Sequence, residues 1–360
     1  MSEPTVALVH DYLTQRGGAE RVALSMTKAF PEAPLYTSLY QPDTTLPEFG
    51  DVDVRTLALN RAPALRRHHR WALPLLAPAF SRLEVRADVV VCSSSGWAHG
   101  VRTGGAKIVY CHSPAKWLYE TRRYLRHRPL TVRLALAGLA GPLRAWDGRA
   151  AASAQLYLAN SRAVRDEIRR VYGIDASVLP PPPTVDPAGP RVPPAPLDAG
   201  FHLCVSRLLP YKNVDVVVEA FREMPDERLV VVGAGPDRAR LRRRAGRNVT
   251  MLERVSDEGL RWLYAHCAAL VSAAYEDFGL APLEAASFGR PAVTLRAGGF
   301  LDTVVEGETG VFFDEPEPGA LSQALAAAMS RCWDPQRIRA HAEGFSEERF
   351  IAQLRQIVLG

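Results

Sequence analysis

Short runs of Val, Leu and Ile recur along the chain, each followed by a longer stretch with apolar residues at helical intervals, and this alternation occurs twice. Such alternation is how a doubly wound parallel sheet reads in sequence. The first half predicts strands at 6–9, 52–56, 89–92, 107–111 and 155–159; the second predicts them at 202–206, 228–232, 249–252, 269–272 and 291–295. Between the halves stand Pro180 to Pro183, then Pro187, Pro190, Pro193, Pro194 and Pro196. Proline cannot donate to a ladder, so this stretch reads as a stiff linker and a domain boundary. The pattern therefore predicts an α/β chain of two Rossmann-like domains, 1–186 and 187–345. A C-terminal helix over 346–360 follows, with Phe350, Ile351, Leu354 and Ile357 at helical spacing, open to packing on either domain or crossing back to the first.

A length of 360 residues agrees with two domains. A hydrophobic content of 47% with 23% charged residues is that of a soluble globular protein and excludes disordered, collagen-like and repeat-driven architectures. The five cysteines are scattered and form no C-x-x-C pair, which excludes a disulfide framework or zinc knuckle and fits a reducing cytoplasm. The start, Met1-Ser-Glu-Pro-Thr, lacks the basic and long apolar regions of a signal peptide. The apolar stretch 129–143 carries Arg133 and is expected to be broken by Gly138 and Gly141, too short to span a bilayer. The expectation is a cytoplasmic chain, soluble or peripheral on the inner face of the plasma membrane.

The net charge of +5 is unevenly shared. Residues 1–190 hold 24 Lys and Arg against 16 Asp and Glu, and the remainder holds 20 against 23, so the halves stand at +8 and −3. This asymmetry points the first half toward something anionic: lipid headgroups, a lipid diphosphate or nucleic acid. A solvated arginine-rich surface gives the same count.

The strongest chemical signal is Glu276-Asp-Phe-Gly-Leu-Ala-Pro-Leu-Glu284, which follows a predicted strand and opens a helix. Ligands of open α/β sheets bind outside the carboxyl ends of strands, where the N–H groups of Asp277, Phe278, Gly279 and Leu280 would favour an anion. Glu276 could then meet sugar hydroxyls and Glu284 those of a ribose. Two glutamates stabilised by a helix dipole would read alike. Upstream, Val205-Ser-Arg-Leu-Leu-Pro-Tyr-Lys-Asn213 places Arg207 and Lys212 at the end of another strand, a fork of donors and a point charge suited to a diphosphate. A surface pair capping the next helix is the alternative. Asp51-Val-Asp53 matches D-x-D but precedes a strand, and Gly233-Ala-Gly-Pro-Asp-Arg238 lacks the third small residue of a dinucleotide fingerprint.

Taken in order, Gly17-Gly18-Ala-Glu20, Tyr110-Cys-His112-Ser-Pro, Asn160-Ser-Arg162, Ser206-Arg207-Leu with Lys212-Asn213, Gly233-Ala-Gly-Pro236, Glu276 to Glu284 and Gly298-Gly299 resemble the family-4 retaining glycosyltransferases of GT-B fold. The branch most similar is that of O-antigen and exopolysaccharide mannosyltransferases. The resemblance implies two doubly wound domains facing across a cleft, acceptor on the first and nucleotide sugar on the second. It assigns the diphosphate to Arg207 and Lys212, the sugar to His112 and Glu276, the ribose to Glu284, the base pocket to Arg254 and Val255, and the phosphate approach to Gly17 and Gly18. Phe278, Gly279 and Leu280 complete the donor set. The acceptor, or an anionic membrane surface, falls to Arg66, Arg67, Arg70, Trp71, Arg122 and Arg123, where cations mix with apolar residues; an exposed basic helix with an apolar core face reads alike.

The implied reaction moves a hexose from a nucleotide-diphosphate sugar to a glycan, lipid-linked or small-molecule acceptor in cell-surface polysaccharide or glycoconjugate synthesis. It retains the anomeric configuration and needs no metal, cofactor or nucleic-acid partner. The branch points first to GDP-mannose, with UDP-glucose and UDP-N-acetylglucosamine open; Glu253 stands where many relatives have glycine before the base pocket. The alternatives are a nucleotide-sugar-binding protein without transfer activity, or an epimerase or phosphorylase of the same fold.

Overall fold

The computed structural model describes residues 3–120 and 130–360, apart from the side chains of 69, 70 and 130–137. Two compact units result: Met1–Pro181 with Glu347–Gly360, and Pro182–Ser346.

The strands of the first unit are β1 (Val6–His10), β2 (Leu35–Thr37), β3 (Val54–Thr56), β4 (Glu84–Val85), β5 (Val89–Ser94), β6 (Arg102–Thr103), β7 (Ala106–Cys111), β8 (Leu156–Ala159) and β9 (Ser177–Val178). Seven of them form one sheet in the order β3-β2-β1-β5-β7-β8-β9, all parallel, while β4 and β6 make a separate parallel pair. Every residue of β5 is buried, as a central parallel strand covered on both faces requires. The second unit carries β10 (His202–Val205), β11 (Leu229–Val232), β12 (Val249–Leu252), β13 (Ala269–Ser272), β14 (Ala292–Leu295) and β15 (Gly310–Phe313), all parallel in the order β12-β11-β10-β13-β14-β15. In each sheet the order reverses once beside the first strand of the unit, between β1 and β5 and between β10 and β13. These are the switch points at which open α/β sheets leave a crevice.

The helix Glu347–Leu359 belongs to the first unit. Phe350, Leu354 and Val358 enter the cluster that holds Val22, Met26 and Tyr110, with Ile351 and Ile357 partly buried beside them. Each such side chain stabilises by roughly 2 kcal/mol on burial. Arg355 and Glu347 fasten the helix at its flank through the Ala29 carbonyl and Lys28, both at 2.7 Å.

Two expectations change. Gly138 and Gly141 do not break the apolar stretch: together with Pro142 they lie inside one continuous helix, Leu130–Ala152. No helix among the described residues is long and apolar enough to cross a membrane. The third strand starts at Val54 rather than Val52, because Pro47–Asp51 forms a 3-10 turn that carries the chain to Val52. Asp51 ends that turn and Asp53 pairs with exposed Arg55 at 2.7 Å.

Candidate active site

In the second unit, β10 and β13 meet at the switch point and each feeds a loop from its carboxyl end. The loop after β10 runs beside the loop after β11: Leu208 N donates to Ala234 O at 2.9 Å and Asp237 N to Leu208 O at 3.2 Å. Only glycine permits this approach, since a Cβ on Gly233 or Gly235 would overlap the carbonyl oxygens of Ser206 and Leu208. The glycines that began like a dinucleotide fingerprint thus serve loop packing. Further on, Pro210–Lys212 makes a 3-10 turn that ends at Asn213, at φ 51 the only non-glycine residue with positive φ among the described residues. Asparagine tolerates that conformation better than most residues, and its side chain donates to Ala273 O at 2.9 Å, lacing the loop after β10 to the loop after β13.

That lacing sets Lys212 against Glu276. The Lys212 ammonium, 8% exposed, donates to Glu276 Oε2 at 2.5 Å and lies 5.5 Å from the centre of the Tyr211 ring. The Glu276 side chain stays open to water at 28% exposure. Arg207 is exposed on the same loop, with its guanidinium 3.5 Å from the Tyr211 hydroxyl. The loop after β13 turns at Gly279, the N-cap of the helix Leu280–Ser287, which stands at φ 91. A Cβ there would lie 2.6 Å from the Phe300 ring. Its N-cap residue is a glycine with no side chain to satisfy the first N–H groups, the kind of helix terminus that favours an anion. Gly299 N donates to Glu276 O at 2.8 Å and so fixes the loop from the far side.

The remaining residues expected to meet the donor are placed differently from one another. Phe278 is buried, its ring centre 6.2 Å from that of Phe345, which leaves its backbone as the part able to meet a ligand. Glu284 is also buried and both carboxylate oxygens already accept from protein hydroxyls, one from Tyr264 at 2.6 Å and the other from Thr184. Arg254 is exposed and Val255 partly buried just beyond β12, an edge strand two positions from β10, while Glu253 faces Arg238 at 3.5 Å.

In the first unit, Gly17 caps the helix Gly18–Ala29 with an extended backbone, and a Cβ there would overlap the Glu20 carboxylate. Its value is close approach, not a left-handed turn. His112 is the first residue past β7. Its N–H donates to Ser94 O at 2.9 Å, and its carbonyl accepts from the Asn160 side chain at 3.0 Å. Its Nε2 stands 2.8 Å from Ser93 Oγ, which is 2.9 Å from His10 Nδ1. Burial lowers the His10 pKa to about 4; burial, with His10 adjacent, lowers that of His112 to about 3. Both rings are neutral near pH 7.

Residues that motif reading missed surround them. Asp11 is buried and accepts from Ser95 N at 2.7 Å and Ala98 N at 2.6 Å; burial outweighs these donors and raises its pKa to about 6. Asp147 accepts from Tyr119 and Tyr172 at 2.7 and 2.8 Å. His99 Nε2 is 3.0 Å from Asp147 Oδ1 without the alignment of a hydrogen bond. The available signal was His10-Asp11 and Ser93-Ser-Ser95, polar groups at the carboxyl ends of the two strands flanking the switch point.

These shifts predict acid sensitivity. Both histidines have folded pKa values below the ordinary 6.5, so their contribution to stability is present above pH 6.5 and is lost as pH falls toward about 4. Each unit is worth about 1.4 kcal/mol. Asp11 opposes this: its folded value lies above 3.8, so its contribution is lost as pH rises from 3.8 to about 6. Two histidines outweigh one carboxyl, and thermal midpoints across this range should fall on acidification. Asp11→Asn should steepen the fall; a level profile would contradict the account.

Of the residues expected to face an acceptor or membrane, Trp71 is 64% exposed and Arg67 is exposed. Arg66 is half-buried, and its guanidinium donates to the Asn60 carbonyl at 2.7 Å and to Gln41 Oε1 at 3.3 Å, bracing a local turn. Arg122, Arg123 and the Arg70 side chain lie outside the described residues. Among the described residues no group of three or more His, Cys, Asp or Glu could hold a metal ion.

Residues 16–188 match the family model Glycosyltransferase Family 4 and residues 189–344 match Glycosyl transferases group 1. The chain belongs to the family-4 glycosyltransferases and has the GT-B fold. It is 29% identical over 206 residues to the D-rhamnosyltransferase WbpZ of Pseudomonas aeruginosa, covering 53% of this chain and 51% of that one. It is 29% identical over 160 residues, 40% of this chain and 41% of the relative, to a GDP-mannose-dependent alpha-(1-6)-phosphatidylinositol monomannoside mannosyltransferase of Mycolicibacterium smegmatis. The chain thus spans about half the length of the curated relatives it matches. Among solved structures, Anabaena HepE in complex with UDP-glucose superposes with a TM-score of 0.70 at 19% identity, over 98% of this chain and 99% of that one. The sucrose-phosphate synthase of Thermosynechococcus elongatus gives 0.72 at 18%, over 98% of both.

Proposed function

We propose that the chain is a retaining glycosyltransferase whose second unit holds a nucleotide-diphosphate sugar at the β10–β13 switch point. The observation that carries this reading is the Lys212–Glu276 pair beside an uncapped helix start. A diphosphate there meets the N–H groups of the loop and helix, the Lys212 ammonium and the exposed Arg207 fork. Glu276, released from Lys212 by the incoming anion, can accept from sugar hydroxyls. The bond from the anomeric carbon to the phosphate oxygen breaks with its electron pair on the diphosphate, where these cations stabilise the charge. The acceptor oxygen attacks from the same face, its proton passing to the departing phosphate. A protein nucleophile has no part in this scheme, and charge stabilisation on the leaving group falls to Lys212, Arg207 and the N–H groups. We assign His112 to the transferred sugar, Glu284 to the ribose shared with Tyr264 and Thr184, and the acceptor to the basic first unit, where Trp71 and Arg67 present an aromatic and a cation to a lipid-linked substrate or anionic membrane. GDP-mannose is the first donor to test, given the relative named for it.

The test is a donor screen with GDP-, UDP-, ADP- and dTDP-sugars in EDTA, following thermal midpoint and nucleoside-diphosphate release, repeated with anionic vesicles. A donor that binds the folded state raises the midpoint by mass action. Stabilisation by one nucleotide class with slow hydrolysis surviving EDTA is expected. Binding without release would favour a nucleotide-sugar-binding protein, and absence of co-sedimentation would remove the membrane part.

A further inference from the structure

We propose that His10 is a positioning residue that fixes, through the Ser93 hydroxyl, which ring nitrogen of His112 carries its proton. The inference rests on the assignment of His112 to the transferred sugar. It starts from a count of protons. Ser93 Oγ, in a residue 2% exposed, stands 2.9 Å from His10 Nδ1 and 2.8 Å from His112 Nε2. A hydroxyl has one proton to donate and two lone pairs to accept with. These two rings are its only hydrogen-bond partners among the described residues, so its proton goes to one ring nitrogen and it accepts from the other.

Each neutral imidazole carries a single N–H. If Ser93 donates to His10 Nδ1, His10 bears its proton on Nε2 and His112 must supply a proton from Nε2. If instead His10 Nδ1 donates to Ser93, the hydroxyl proton goes to His112 Nε2 and His112 bears its own proton on Nδ1. In either case the two rings adopt the same tautomer, both Nε2–H or both Nδ1–H. In a mixed pair, two ring acceptors would compete for one hydroxyl proton, or two ring N–H groups would take both lone pairs and leave the buried hydroxyl proton with no acceptor among the described residues.

The consequence reaches the substrate. With Nε2 engaged by Ser93, Nδ1 is the nitrogen His112 retains for a sugar hydroxyl, and it is an acceptor in the first arrangement and a donor in the second. The ring cannot tip easily. His112 N is tied to Ser94 O, its carbonyl to Asn160, and the Tyr110 ring lies edge-on with centres 5.2 Å apart. His10 is itself buried, and burial keeps both rings uncharged. The His10 ring also hydrogen-bonds the Ser93 and Tyr12 backbone, which holds it on its own side, so the residue that sets the tautomer is one strand removed from the one that uses it.

The experiment is long-range proton–nitrogen correlation NMR on the full chain with nitrogen-labelled histidine, without donor, at pH 7. Signals are assigned by removing other histidines singly. His10 and His112 are expected to show one shared tautomer, and Ser93→Ala should leave His112 in a mixture of both. Opposite tautomers in the unaltered chain, or no change in Ser93→Ala, would overturn the proposal. With the donor found in the screen, Ser93→Ala should lower kcat about tenfold with donor KM within about twofold, and should add nothing in a His112→Ala background. Additive losses would mark Ser93 as merely structural. The NMR result stands without turnover, so an inactive chain with shared tautomers would count against the transferase reading and not against this one.

Discussion

Lys212→Ala is expected to lower turnover by about two to three orders of magnitude while donor affinity falls far less, the range seen when a preorganised charge is removed from a developing anion. The argument is local. Lys212 is 8% exposed and held by its turn and by Glu276, so its charge is fixed in place before any substrate arrives. The ground-state diphosphate is already a dianion and can lean on Arg207 and the helix N–H groups. The charge that appears as the sugar bond breaks is new, and a nearby fixed ammonium opposes it most effectively. The variant should still fold, because the Glu276 side chain left behind is 28% exposed and water can solvate it. Turnover and donor KM measured together decide the matter. Unchanged turnover would remove Lys212 from the clamp, and a loss confined to KM would make it a binding group only.

The second large effect is on stability. Gly299→Ala would set a methyl carbon into Phe278 Cα, Phe278 O and Asp277 O, three backbone atoms of the loop that carries Glu276. A side chain could turn aside; backbone cannot, so the loop must move and Gly299 N loses its bond to Glu276 O. The expected cost is about 4 kcal/mol or more, the upper range for single substitutions. Gly319→Ala is the control. Gly319 lies in the helix Pro318–Met329 with nothing near the added carbon, and alanine there should stabilise by up to about 1 kcal/mol. Urea melts of the two variants should move in opposite directions. A Gly299→Ala chain as stable as its parent would show that this loop is not held as described.

All ten predicted strands have counterparts, because each is a Val/Leu/Ile run long enough to stand out from its surroundings. The five strands not foreseen are short or atypical: Leu35–Thr37 has three residues, Glu84–Val85, Arg102–Thr103 and Ser177–Val178 two each, and Gly310–Phe313 starts with glycine among acidic and turn residues. Gly138 and Gly141 misled in the other direction: both are exposed positions of the helix Leu130–Ala152, whose described buried residues lie further on, at Asp147, Ala150 and Ala151, so a weak helix former there costs about 1 kcal/mol without ending the helix. Within the site, Arg207, Lys212 and Glu276 were legible because strand ends can be located from sequence alone. The partners of Glu284 were not, since Thr184 lies 100 residues away along the chain and only folding brings its hydroxyl to the carboxylate. The His10–Ser93–His112 chain was hidden for a related reason. Its members sit on β1, β5 and just past β7, and that these are neighbours is a fact of strand order, which a run of apolar residues does not state.

The most direct test of the donor site is amide hydrogen exchange with and without the stabilising nucleotide-diphosphate sugar. Protection is predicted in 206–213 and 273–282, the loops from β10 and β13 and the opening turn of the helix that follows. Protection confined to other segments, with these two unchanged, would contradict the placement of the diphosphate at the switch point and with it the roles given to Lys212 and Glu276.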